Sequence, residues 1–242
     1  EAIAAITPAD RATIDDMRLW LLQQKRTQSW DTPLNSVDAI HAFLVDNDEV
    51  LNQPSLTTIA IDGKALPLPE ATAAVGYVKT TIDNPKASEI SFAKTSDGAS
   101  WGAVYGQSLQ PIAAVKSANA GIRVERNIET AGKSLRVGDK VKVTITIVAD
   151  RDYDFVQLCD KRAACLEPVS QLSGYRNGYY LAPQDNCTNY FFDRLSKGKH
   201  VVETEYFVDR PGSYLSGVCT AECAYSPEFS GRAEAVQIVV NE

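Results

Sequence analysis

The sequence holds 242 residues, 44% hydrophobic and 23% charged, with a formal net charge of −7. These proportions describe a globular chain with apolar mass for one or two cored domains, and the acidic balance excludes nucleic acid and anionic membrane as expected partners. No apolar run reaches the length of a transmembrane helix, and the start at Glu1, without initiator Met or signal segment, is what a mature product or an excised piece would show.

Residues 1–46 read as helical. Thr7-Pro8-Ala9-Asp10 offers an N-cap, a proline at the first helical position and an early acid. Ile14, Met17 and Leu21 recur at helical spacing, with Trp20 and Leu22 widening the stripe. Thr32-Pro33 opens a second helix carrying Val37, Ile40 and Leu44. Two short amphipathic helices cannot bury both stripes against each other, so the pair is expected to be the edge of a larger helical domain.

From Leu56 the period changes to two. The alternation runs into Asp62-Gly63, a hairpin signal, and the device recurs with Ile90 and Phe92, Asp97-Gly98, then Trp101, Ala103 and Tyr105. Between Pro111 and Ala120 the pattern lapses, as in a linker or an edge segment. A second β region begins with Ile122, Val124 and Ile128 in one phase. The clearest strand comes next, with Val141, Val143, Ile145 and Ile147 facing in and Lys142, Thr144 and Thr146 facing out. The stretch 189–215 reads as strand, Lys197-Gly198 hairpin turn, long strand, Pro211-Gly212 turn, strand, and residues 234–242 close the chain. Six or seven short strands between turns predict a mainly β chain whose last domain is an antiparallel β-sandwich.

Catalytic chemistry finds little support. A Ser or Cys nucleophile needs a histidine base, and neither His41 nor His200 sits in a catalytic motif. Glu203 and Glu205 share a strand face, about 7 Å apart, which half-exposed alternation explains as well as a glycosidase pair does. Asn186-Cys187-Thr188 matches a glycosylation sequon, a weak signal. Cys165-Leu166-Glu167-Pro168 begins like an internal Cys-x-Glu-Gln thioester, but Pro168 stands where the glutamine carboxamide would be required, so covalent capture is not in this chain. The five cysteines, Cys159, Cys165, Cys187, Cys219 and Cys223, lie in one β-rich stretch with no Cys-x-x-Cys. That arrangement argues against a zinc site and for partial disulfide formation outside the cytosol. Cys219 and Cys223, about 13 Å apart along an extended strand, should not pair with each other, so bridges should run between segments, with Cys165 near 219–223. No cofactor is expected.

"DKRAACLEPVSQLSGY", "NYFFDRLSKGKHVVETEYFVDRPGSYLSG" and "AECAYSPEFSGRAEA" together resemble the C-terminal macroglobulin-like domain of bacterial α2-macroglobulin-like proteins, especially those of Bacteroides-type bacteria. The resemblance divides the chain into terminal helices of a helical, thioester-type domain (1–50), a β-rich connecting segment (51–118) and a macroglobulin-like sandwich (119–242). It implies a protease trap in which the attacking protease cleaves a bait region and the multidomain body rearranges around it. The partners would be target proteases, reached through the whole protein, and other domains of the same chain. The setting would be the periplasm or the bacterial cell surface. Tyr225 matches the tyrosine of a Met-Tyr pair that shields the thioester in members that have one. Ala224 replaces the methionine, which weakens such a shield. The segment with Pro227 and Glu228 is expected to be a loop at one end of the sandwich that docks on the helical domain. The alternative from another class is a surface sandwich that binds glycans or acts as an adhesin, through Trp101, Tyr175, Tyr179 and Tyr180.

Overall fold

The computed structural model describes residues 2–44, 57–70, 77–83, 86–95, 102–129 and 134–242. They divide into two compact units, Glu1–Leu22 with Trp30–Tyr105, and Gln23–Ser29 with Gly106–Glu242.

Helices α1 (Ala2–Ile6), α2 (Arg11–Thr27) and α3 (Pro33–Leu44) agree with the helical reading, with one shift at a cap. Asp10 caps α2, its carboxylate accepting the Thr13 N–H at 3.3 Å, whereas Thr7 belongs to the turn before it. An acid adjoining the first helical residue outcompetes a threonine four positions upstream. Thr32 caps α3 as its Thr-Pro signature predicts, accepting the Asn35 N–H at 3.2 Å. Met17 and Trp20 of α2, and Val37, Ile40 and Leu44 of α3, are exposed. Strands β1 (Thr57–Ile61), β2 (Lys64–Ala65) and β3 (Ile90–Lys94) form a sheet in the order β2-β1-β3. Its hairpin turns at Asp62-Gly63, where both residues have positive φ, 46° and 75°, as a two-residue primed turn requires. The Asp62 carboxylate also accepts the Ser88 and Glu89 N–H groups. Of the second expected hairpin, Asp97-Gly98 and Trp101 lie outside the described residues, and Ala103 and Tyr105 belong to no strand.

The second unit is the sandwich. Its strands are β4 (Ala118–Ala120), β5 (Ile122–Glu129), β6 (Leu135–Arg136), β7 (Lys140–Ala149), β8 (Tyr153–Lys161), β9 (Leu166–Pro168), β10 (Gly174–Arg176), β11 (Tyr179–Pro183), β12 (Cys187–Leu195), β13 (Gly198–Val208), β14 (Gly212–Leu215), β15 (Cys219–Cys223), β16 (Ser226–Ala233) and β17 (Gln237–Asn241). One layer is the sheet β10-β11-β12-β8-β15-β16-β4, the other β5-β7-β13-β9, and a small sheet β14-β17-β6 lies beside them. Pairing is antiparallel except between β17 and β6. The alternation of β7 holds residue for residue, with Val141, Val143, Ile145 and Ile147 in the core.

Two features differ from the sequence reading. Among the described residues this unit has fourteen strands against the six or seven expected, in part because β8 to β11 carry no clear two-residue alternation. Lys197-Gly198 is not a hairpin turn: β12 and β13 lie in opposite layers, so the chain turns a corner from one sheet to the other. Tyrosine hydroxyls are satisfied across that gap. Thr188 and Tyr206 share a hydrogen bond of 2.9 Å, and Tyr190 and Thr204 one of 2.6 Å. Buried phenols need such partners. A buried ion pair joins the layers as well. Arg126 of β5 donates to Asp160 of β8 at 2.7 Å, to Ser216 Oγ at 2.7 Å, and to the carbonyls of Gly217 and Glu234 at 2.9 and 2.8 Å.

Candidate functional site

The turn between β15 and β16 holds the residues singled out by the resemblance. Cys223 pairs with Ser226, which leaves Ala224 and Tyr225 as a two-residue tip. The next register pair, Glu222 with Ser230, skips Pro227, Glu228 and Phe229. This bulge is where a residue without an N–H can sit in a strand. The loop is therefore shorter than expected: only 224–225 form the tip, and Pro227 and Glu228 lie in bulged strand β16.

The tip rests on β8. Ala224 N–H donates to the Phe155 carbonyl at 2.8 Å, and the Tyr225 and Phe155 rings meet edge to face at 5.3 Å and 83°. Phe155 has φ 58°, a left-handed conformation uncommon outside glycine, and its ring is part-exposed at the surface. Tyr225 remains 78% exposed, too open for a residue covering its own core. Beneath the turn, the Cys223 thiol donates to the Asp154 carbonyl at 3.3 Å, and burial raises its pKa.

The same edge grips residues 23–29, which comprise the last turn of α2 and the two residues beyond it. Ser226 Oγ donates to the Arg26 carbonyl, and Arg26 pairs with Glu228. The Asp154 carboxylate accepts the Ser29 N–H at 2.6 Å and its hydroxyl at 3.0 Å. Phe229 is flanked by the guanidinium groups of Arg26 and Arg151, 5.5 and 5.3 Å from its centroid. Lys25, Thr27, Gln28, Phe155, Cys223 and Tyr225 line a cleft between this segment and the turn. Free carbonyls at a helix C-terminus need partners, and the Ser226 hydroxyl supplies one. Sequence reasoning named Ala224, Tyr225, Pro227 and Glu228 at this turn, but not Asp154, Ser226 or Phe229, which touch the helix end. The serine directly after Tyr225 was the signal that could have pointed to a helix-end contact.

The other candidates do not assemble into a site. His200 Nε2 shares a 2.7 Å hydrogen bond with the Ser196 carbonyl. Glu203 pairs with Lys142 at 3.1 Å on an outer sheet face. Cys165 is buried, and Pro168 sits on edge strand β9 opposite Tyr206. All five cysteines are unbridged, in contrast to the bridges expected from their clustering. Cys219 and Cys223 both point into the core from one strand. Of the four aromatics considered for glycans, Trp101 lies outside the described residues. Tyr179 turns inward onto Tyr190 and Phe192. Only Tyr175 and Tyr180 share an exposed face, at 78° to each other, which is not a flat stacking platform. Among the described residues no group of three or more His, Cys, Asp or Glu side chains is placed to hold a metal ion, and no helix is long and apolar enough to cross a membrane.

Residues 117–228 match the family model of the bacterial alpha-2-macroglobulin MG10 domain. Among solved structures, Salmonella alpha-2-macroglobulin reacted with methylamine is 23% identical, with a TM-score of 0.49 over 55% of this chain and 10% of that one. Escherichia coli alpha-2-macroglobulin activated by porcine elastase is 22% identical, with a TM-score of 0.48 over 55% and 14%. A curated relative, Circularly permutated Ras protein 2 of Dictyostelium discoideum, is 24% identical over 122 residues, 49% of this chain and 3% of that protein. The chain thus spans about a tenth of the Salmonella structure and much less of the Dictyostelium protein.

Proposed function

We propose that this chain, which carries the MG10 domain of a bacterial α2-macroglobulin-like protein over residues 117–228, is non-catalytic scaffold of a protease trap, and that the Ala224-Tyr225 turn is its docking surface for a helical domain of the same protein. The trap acts outside the cytoplasm, in the periplasm or at the cell surface. One observation carries the docking role. The β15–β16 edge already holds a helix end, through Ser226 to the Arg26 carbonyl, Glu228 to the Arg26 guanidinium, and Asp154 to Ser29. Tyr225 lines the same cleft with its ring mostly free. An exposed aromatic beside a satisfied helix terminus is suited to pack on neighbouring helical surface.

Ala224 bears on how the trap works. Its methyl group covers little beside the tyrosine, so this edge fits trapping by rearrangement better than protection of a water-sensitive bond. The test is Tyr225→Ala in the full-length protein. The expected result is a sandwich that stays folded while the resting conformation loosens, seen as a shift in native-gel mobility before any bait cleavage. If the variant instead unfolds the isolated sandwich, Tyr225 is a core residue and the docking role is wrong.

A further inference from the structure

Cys159 and Cys187 stand on neighbouring strands. Cys159 of β8 is opposite Asn189 of β12, and Cys187 is opposite Lys161. The two cysteines are thus diagonal neighbours on one face of the sheet, the outer one, since Leu158 and Tyr190, one step along each strand, fill the core. Burial first, then the neighbouring Cys187 thiol, pushes the Cys159 thiol up to about 11. The Cys187 sulfur contacts the Gln184 and Asn189 side chains at 3.6 Å.

The other cysteines are excluded by geometry. Cys219 neighbours Cys159 across β15, where it is opposite Asp160, so it points to the inner face while Cys159 points outward. Cys223 is inward too, opposite Val156. Cys165 is buried before β9, where its carbonyl accepts the Asp209 N–H.

We propose that Cys159 and Cys187 form an oxidisable pair that closes to a cross-strand disulfide by exchange with a small-molecule or protein disulfide. Cys159, the more exposed of the two, attacks the oxidant disulfide slowly, through its small thiolate fraction, and expels one of the oxidant's sulfurs as a thiolate. The Cys187 thiolate then attacks the mixed disulfide at the Cys159 sulfur and releases the second. Two protein thiols become one disulfide, the oxidant becomes two thiols, and the electrons balance. Diagonal positions on paired strands lie about 7–8 Å apart at Cα, at or just beyond the reach of a bridge, so closure requires the backbone to move. Cys187 is the first residue of β12, where the ladder ends and the chain can give. A bond formed there is strained and readily reduced, and it staples β8, which carries Asp154 and Phe155, to its neighbour.

The test is to incubate the reduced chain with oxidised glutathione under native conditions, alkylate, digest without reductant and map the linked peptides by mass. A Cys159–Cys187 peptide pair that survives in a Cys219→Ser/Cys223→Ser variant and vanishes in Cys187→Ser is the expected result. Free or glutathione-capped Cys159 and Cys187 with no link between them would overturn the proposal. So would a bond from either one to another cysteine, or a link found only in urea-denatured chain.

Discussion

Arg126 is the residue on which the two layers depend most sharply. It and Asp160 are 1% and 2% exposed as side chains, and the guanidinium also donates to three carbonyls and a hydroxyl. Removing one partner of such a pair leaves an uncompensated buried charge, which costs about 3–5 kcal/mol. Arg126→Met should therefore lower the urea midpoint of the sandwich strongly, and adding Asp160→Leu should recover part of that loss. A midpoint unchanged in the single variant would mean that Asp160 finds water or another cation. Tyr225→Ala, by contrast, should shift the stability of the sandwich alone by less than about 0.5 kcal/mol, because the ring touches little besides Phe155. Half of this is legible in the sequence. The 122–124–128 phase marks the inner face of β5, and Arg126 falls in that phase, but periodicity counts apolar residues and passes over a cation in an inward position. That its partner lies in β8 has no local signature, since partner choice is set by topology.

At the scale of elements, the strongest alternation is the most faithful guide, and β7 is the case in point. β8 is hard to read because Phe155, with positive φ, breaks the two-residue period: Tyr153 and Val156 are both buried although three positions separate them. Lys197-Gly198 reads as a hairpin and proves a corner because a turn signal says where a chain reverses and not which sheet receives it. Close packing between layers also depends on Gly231, where a Cβ would lie 2.1 Å from the Ile122 carbonyl oxygen. Since backbone cannot yield as a side chain does, Gly231→Ala should push β16 from β5 and cost on the order of 1–3 kcal/mol, measured as a lower thermal midpoint. A midpoint equal to that of the parent would show that the layers can part without loss.

Acid sensitivity belongs to the same scale, because the corners between strands are pinned by carboxylates. Hydrogen bonding from Arg151 lowers Asp150 from 3.8, the Lys197 N–H and then Arg194 lower Asp152, and Arg210 lowers Asp209. A carboxyl group with a folded-state pKa below its unfolded value adds stability that is fully present above the unfolded pKa. That contribution is lost as pH falls through the lowered folded value. Stability should therefore hold from neutrality to about pH 4 and decline below it, as measured by circular dichroism in urea at stepped pH. A stability that rose on acidification through this range would contradict these assignments.

For the molecule as a whole, the legible parts are the class of fold and the residues at the β15–β16 tip; the docked helix end is not, because its contacts join positions some 200 apart in sequence. Such contacts leave no local pattern. They support the proposed scaffold role, in which this sandwich would hold other parts of a larger protein in one arrangement. The most direct measurement is small-angle scattering of the full-length protein before and after exposure to a broad-specificity protease, with the retained protease assayed on a small peptide and on a large protein substrate. The account predicts cleavage at one exposed region, a compaction of the molecule, and a bound protease that still cuts the peptide but not the protein. Cleavage with no change in dimensions, and a protease left free to digest the large substrate, would contradict it.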